Sequence, residues 1–207
     1  FYVGFELGAK IRYRLLTGLA ISDDGGASFR RYSDTPILER SPEELYFRGG
    51  PFCEYSDDIY RLWYVAGSSW RTVGDKQMPV YDIRYLESPD PTRWSAKGAV
   101  HIPITGKDEH GFGRPSVIRS KDGLLRMFYS VRRISLGAYR LGYAESIDGI
   151  HWMRLDQELN LDVGQDSFDS EAIMYAAPIQ LGEHLYLFYN GNGFGREGFG
   201  IAKLLTE

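Results

Sequence analysis

Apolar residues along this chain come in short runs broken by turns rich in Gly, Asp and Ser, and no amphipathic helical stripe lies between them. Runs such as Leu62-Trp63-Tyr64, Met127-Phe128-Tyr129 and Leu187-Phe188-Tyr189 read as strands, because aromatic and branched side chains suit a pleated surface. Asp122-Gly123 between two such runs marks a tight hairpin.

The pattern repeats about every 63 residues, on three anchors that keep the same order. The first is a proline in a short apolar strand, in Gly50-Pro51-Phe52, Arg114-Pro115-Ser116 and Ala177-Pro178-Ile179, with spacings of 64 and 63. The second is the tyrosine closing each apolar run, Tyr64, Tyr129 and Tyr189, with Tyr2 as an earlier copy. The third is a Ser-x-Asp turn followed by an aromatic residue: Ser22-Asp23-Asp24 with Phe29, Ser88-Pro89-Asp90 with Trp94, and Ser146-Ile147-Asp148 with Trp152. Ser and Asp at this spacing bond the amides of their own turn, and the aromatic residue is expected to pack inward.

Each unit therefore predicts four short antiparallel strands, placed in one copy at 115–119, 125–131, 139–146 and 151–155. Segments 71–79, 101–113 and 156–170 read as separating loops. Four-stranded units without helices predict an all-β propeller, with blades at about 1–45, 46–108, 109–170 and 171–207 in one domain. A five-bladed ring has about 20 strands and this chain supplies fewer, so an upstream blade and roughly 95 residues before Phe1 are expected.

Composition narrows the function classes. The 207 residues are 43% hydrophobic and 25% charged, enough to bury a core without staples. Twenty-four basic against 28 acidic residues leave a net charge of −4, which points away from nucleic acid and from an anionic membrane surface. Cys53 is the sole cysteine, and the histidines (His101, His110, His151, His184) lack metal-ligand spacing, so neither metal nor cofactor is expected. No charged leader precedes an apolar stretch, which favours a cytoplasmic location. Aromatic content of 14%, with 15 Tyr and 24 Gly, agrees with strands joined by tight turns.

Ser-x-Asp-Gly-x-x-Trp after the third strand, proline on the first and aromatic-Tyr on the second resemble the five-bladed propeller glycoside hydrolases. These include arabinanases, β-xylosidases, invertases, levansucrases and mannoside phosphorylases. The tail Tyr189-Asn190-Gly191-Asn192-Gly193-Phe194-Gly195-Arg196-Glu197 looks like an uncharacterised branch of that superfamily. The Ser22-x-Asp24-x-Gly26-x-Ser28-Phe29 box also resembles the Asp boxes of six-bladed sialidases. The resemblance implies sugar bound at one end of a central channel and cleavage by carboxylates from different blades. Many such proteins carry Asp directly before the proline of the first strand; here Gly50, Arg114 and Ala177 stand there.

Candidate site residues follow from position in the repeat. Asp166, Asp169 and Glu171 lead into the last blade beside Tyr175; Glu171 is the candidate proton donor, with Asp169 tuning it, or the loop is a solvated acidic turn. Glu109 and His110 enter the preceding blade and suit sugar hydroxyls. Arg48 and Arg114 stand in phase, predicting an acidic or phosphorylated sugar, or else salt bridges between blades. Asn190 and Arg196 lie in the glycine-rich tail, where an amide matches sugar donors and acceptors. Trp63, Trp94 and Trp152 read as core, while Trp70 is placed on a loop and free to stack on a sugar. Arg48, Arg114, Asp169 and Glu171 are expected to converge at one end of the axis. Two functions stay open: a carbohydrate-active enzyme hydrolysing or phosphorolysing a glycosidic bond, or a non-catalytic sugar-binding propeller.

Overall fold

The computed structural model describes residues 1–9 and 11–205. The chain divides into two compact units, one from Phe1 to Pro103 and one from Ile104 onward.

In the first unit β1 (Tyr2–Leu7) and β2 (Tyr13–Gly18) form an antiparallel hairpin, and β3 (Ala20–Ile21) pairs with β4 (Arg30–Arg31). Then β5 (Phe47–Ser56), β6 (Ile59–Val73), β7 (Lys76–Ser88) and β8 (Ala99–Ile102) pair antiparallel in chain order. Leu62, Tyr64, Ala66 and Leu86 of that sheet bury their side chains with Leu38.

The second unit repeats the pattern. Strands β9 (Glu109–Arg119), β10 (Leu125–Arg133), β11 (Ala138–Ser146) and β12 (Met153–Arg154) form one antiparallel sheet. Strands β13 (Met174–Leu181), β14 (His184–Asn190) and β15 (Phe199–Lys203) form a second. Phe128, Leu141 and Tyr143 of the first pack with Ile173, Ala176, Leu185, Leu187 and Tyr189 of the second. Among the described residues, helix is limited to a 3-10 turn at Asp156–Glu158 and a helical turn at Asn192–Gly195. The architecture is all-β and built of propeller-type blades, as the repeat predicts.

Strands β5, β9 and β13 carry the same β-bulge. Gly49 pairs with Val65 and Phe52 with Trp63, so Gly50 and Pro51 together oppose Tyr64. In the same way Arg114 and Pro115 oppose Tyr129, and Tyr175 and Ala176 oppose Tyr189. The leading bulge residue is left-handed each time, with φ of 59° at Gly50, 39° at Arg114 and 57° at Tyr175. Glycine takes that conformation freely, whereas Arg and Tyr are strained there by about 1–2 kcal/mol. The bulge corrects the sequence alignment of the last blade: Tyr175, not Ala177, is the counterpart of Gly50 and Arg114, and Pro178 pairs regularly with Leu187. The opposing tyrosine sets the register, and the proline drifts two positions relative to it.

Each opposing tyrosine is buried and spends its hydroxyl on a carboxylate: Tyr64 on Glu44 at 2.8 Å, Tyr129 on Asp156 at 2.7 Å, Tyr189 on Asp169 at 2.9 Å. Gly142 faces Tyr129 and Gly200 faces Tyr189, where a Cβ would stand 2.3 Å and 2.4 Å from the ring.

The Ser-x-Asp turns close as their chemistry predicts. Ser146 Oγ accepts from the Gly149 amide and Asp148 from the Ile150 and His151 amides, each at 2.8 Å. The indole N–H groups of Trp94 and Trp152 donate to the carbonyls of Pro91 and Gly149. Phe29 departs from expectation: its turn is followed by only the two-residue β4, and the ring stays 68% exposed. Two expected loops are also strand. Segment 71–79 is the end of the β6–β7 hairpin, and β9 starts at Glu109 rather than Pro115.

Candidate functional site

Seven described residues other than glycine have a positive φ. Four are Asp or Asn, which tolerate it in turns. The other three, Arg114, Tyr175 and Phe194, come from β9, β13 and the turn after β14, and both Arg114 and Phe194 lie against Tyr175. The Arg114 guanidinium lies 5.3 Å above the Tyr175 ring centroid, and Phe194 stacks on Tyr175 at 6.2 Å. Tyr139 closes the cluster, 5.8 Å from Tyr175 and 6.4 Å from Phe194, with the Arg132 guanidinium 5.1 Å above its ring. Burial pushes the Tyr175 hydroxyl well above the ordinary phenol range, and the neighbouring Tyr139 adds to it. Strain of this kind persists where surrounding structure enforces it, and it collects at binding sites.

The glycine-rich tail presents Phe194. Gly193, Phe194 and Gly195 are consecutive left-handed residues, and Asn190 Nδ2 donates to the Phe194 carbonyl at 3.2 Å. The ring is left 59% exposed. Asn192 is buried and pins the segment before β13. Its Oδ1 accepts from the amides of Glu171 (2.8 Å) and Ala172 (3.1 Å), while Nδ2 donates to Glu197 Oε2 (3.0 Å). Ala172 packs with Tyr139, Met174 and Tyr175. The Glu171 side chain is exposed and makes no ion pair or hydrogen bond among the described residues. Asp169 is buried and accepts from the hydroxyls of Ser167 and Tyr189. The Ser167 bond, and more weakly that of Tyr189, hold its carboxyl below the usual range, so it anchors the segment as an anion.

Other candidates sit in ion-pair networks. Arg48, in the first unit, reaches Glu44 at 2.6 Å, the Glu39 carbonyl at 2.9 Å and the Ser95 carbonyl at 2.7 Å. Glu44, 0% exposed, also accepts from Tyr64, Arg84 and the Gly98 amide. Burial pushes the Asp82 carboxyl beside Arg84 above its ordinary value, partly offset by that guanidinium. In the second unit Glu109 accepts from Arg154 (2.6 Å and 2.9 Å) and from Arg133 (2.9 Å). Burial raises the Glu109 carboxyl, but Arg154 and Arg133 outweigh it and the net shift is downward. His110 is buried on β9. Arg196 is exposed, with Glu197 at 3.4 Å. Trp70 is not on a loop: it lies in β6, packed at 5.7–6.3 Å against Tyr13, Tyr46 and Phe47.

The structure thus gathers Arg114, Tyr175, Asn190 and the Glu171 segment in the second unit, and adds Phe194, Tyr139, Arg132 and Asn192. An aromatic residue flanked by two glycines was the readable signal for Phe194. An open cleft of about 410 Å³ lined by Gly8, Ala9, Ile11, Arg12, Lys76 and Gln77 lies in the first unit and holds no carboxylate. Among the described residues no cluster of His, Cys, Asp and Glu could hold a metal, and no helix is long and apolar enough to cross a membrane.

Known proteins give this geometry a context. A thermostable family-43 glycoside hydrolase superposes with a TM-score of 0.72 at 17% identity, over 99% of this chain and 67% of its own. The fold is that of the propeller glycoside hydrolases. A β-1,2-mannobiose phosphorylase from Listeria innocua, solved with β-1,2-mannobiose, matches with a TM-score of 0.65 at 16% identity, over 94% of this chain and 50% of its own. By sequence, two uncharacterized proteins of Mycobacterium tuberculosis strains are each 34% identical over 207 residues. The chain spans 66% of the length of these relatives, and they cover 99% of it. No family model matches the chain.

Proposed function

We propose that this protein acts on carbohydrate, cleaving a glycosidic bond by hydrolysis or phosphorolysis at the surface formed by Arg114, Tyr175, Phe194 and Glu171. The observation that carries the reading is the convergence of three residues with left-handed backbones on a partly open surface, beside a segment that presents a carboxylate unpaired among the described residues. An exposed aromatic face suits the apolar face of a sugar ring, and arginine supplies donors to its oxygens. Glu171 is the proton donor to the leaving oxygen; the bond from that oxygen to the anomeric carbon breaks as water or phosphate attacks the carbon. Asp169 is a positioning carboxylate that fixes the 167–171 segment through Tyr189.

The test is turnover of an oligosaccharide panel with and without inorganic phosphate, read as new reducing ends or sugar phosphate. Glu171→Gln should lose about 100-fold or more with its melting temperature unchanged. Full turnover in that variant overturns the assignment. A non-catalytic sugar-binding reading is favoured by one observation: the buried carboxylates Glu44, Glu109 and Asp169 are all held by arginine or by hydroxyl groups. It predicts retention of glycan by the wild type with no turnover.

A further inference from the structure

We infer that the glycan taken by this site carries an anionic substituent, a carboxylate or a phosphate, received by Arg114 while a neighbouring ring stacks on Phe194. The inference rests on the carbohydrate reading above and adds a substrate class to it.

Arginine is a costly choice at position 114. The equivalent bulge residue of β5 is Gly50, which takes the same left-handed backbone without strain. Among the described residues no ion pair explains the arginine. Arg48, Arg84, Arg133 and Arg154 each reach a carboxylate at 2.6–3.0 Å. The Arg114 guanidinium instead rests on the face of Tyr175, exposed, with no ion pair or hydrogen bond among the described residues. Contact with a ring face steadies a guanidinium and leaves its charge uncompensated. Such a fork offers donors only, in the geometry that meets a carboxylate or phosphate with two parallel bonds. Phe194 completes the recognition surface. Its ring stays 59% exposed, and a turn of three left-handed residues holds it beside Tyr175. A neutral glycan would use the ring and the guanidinium's donors but leave its charge uncompensated.

The experiment applies full-length protein to a glycan array of carboxylate-bearing, phosphate-bearing and neutral oligosaccharides, then measures Kd by calorimetry on what is retained. Anionic glycans should dominate, and Arg114→Ala should weaken them at least tenfold. Raising salt from about 50 to 500 mM should weaken them similarly, because the contact is ionic. Phe194→Ala should weaken both anionic and neutral members of a matched pair. Retention of carboxylate-bearing or of phosphate-bearing glycans alone identifies the source of the charge. Arg114→Gly separates recognition from structure: it should keep or raise the melting temperature while losing affinity. Retention of neutral glycans only, with Arg114→Ala without effect, overturns the inference and leaves the carbohydrate reading standing. Retention of no glycan by the wild type overturns both.

Discussion

Removing the Arg154 guanidinium should destabilise this protein far more than removing an arginine from an exposed pair. Arg154 stands on the short outer strand β12, yet its forked head bridges Glu109 and Asp156 and lies 5.1 Å over the Phe112 ring. Burial alone would lower its pKa, but the hydrogen bonds it donates to Glu109 and Asp156 prevail and raise it. Arg154→Ala leaves two carboxylates facing each other, with side-chain exposures of only 4% and 9%. Breaking a buried charge cluster in this way costs about 3–5 kcal/mol. The low end applies, because Arg154 keeps 21% of its surface and Arg133 remains 2.9 Å from Glu109 and 3.7 Å from Asp156. About 3 kcal/mol corresponds to a fall of about 6–12 °C in melting temperature for a chain of this size. Thermal and urea unfolding by circular dichroism measure it, with Arg30→Ala as the control; Arg30 pairs with Asp23 at the surface and should cost under about 1 kcal/mol. In a Glu109→Gln background the Arg154→Ala penalty should shrink, since one stranded charge is gone. A loss below about 1 kcal/mol, or the same loss in both backgrounds, would refute the reasoning.

Two further outcomes test the fold. Gly142→Ala drives a Cβ to 2.3 Å from the Tyr129 ring and should cost about 1–3 kcal/mol by urea unfolding, whereas Gly123→Ala, with open space around it, should show only the smaller cost of its left-handed backbone. Asp169 has a folded-state pKa below its unfolded value, so its contribution is complete above about pH 4 and is lost as pH falls through the folded value. Asp169→Asn should therefore be less stable than wild type at pH 7 and lose less on acidification. Tyr189 behaves oppositely: burial and Asp169 push its pKa up to about 12, so its contribution holds below about pH 10 and fades towards pH 12. A pH-stability profile from 2 to 12 checks both limbs.

The repeat was legible because its parts are local. Ser146 and Asp148 bond amides within three residues, and Tyr64, Tyr129 and Tyr189 each terminate a run that is apolar on its own account. The bulge was half legible. Proline marks it in β5 and β9, but in β13 Pro178 lies past it, and only pairing with Tyr189 reveals the register. Segment 71–79 read as a loop because Arg71, Thr72 and Lys76 break the apolar alternation, although their backbones pair across the β6–β7 hairpin.

Site residues were harder because their partners are distant. Arg48 and Arg114 are not in phase after all: Arg114 leads its bulge, whereas Arg48 pairs with Ala66 two residues before the corresponding Gly50, and Arg48 turns to Glu44 while Arg114 turns to Tyr175. Position in a repeat does not say where a long side chain points. Phe194 meets Tyr175 only because Gly193 and Gly195 bend the chain back on itself. Arg154 stands on a short outer strand, and the length of its side chain brings the charge inward to Glu109, 45 residues away.

A structure of the protein with a bound oligosaccharide tests the central claim most directly. The account predicts a sugar ring within about 4.5 Å of the Phe194 ring and a glycosidic oxygen about 2.6–3.2 Å from a Glu171 carboxyl oxygen. An oligosaccharide seated in the cleft near Arg12 and Lys76, with the Arg114–Tyr175–Phe194 surface empty at saturating ligand, would contradict it.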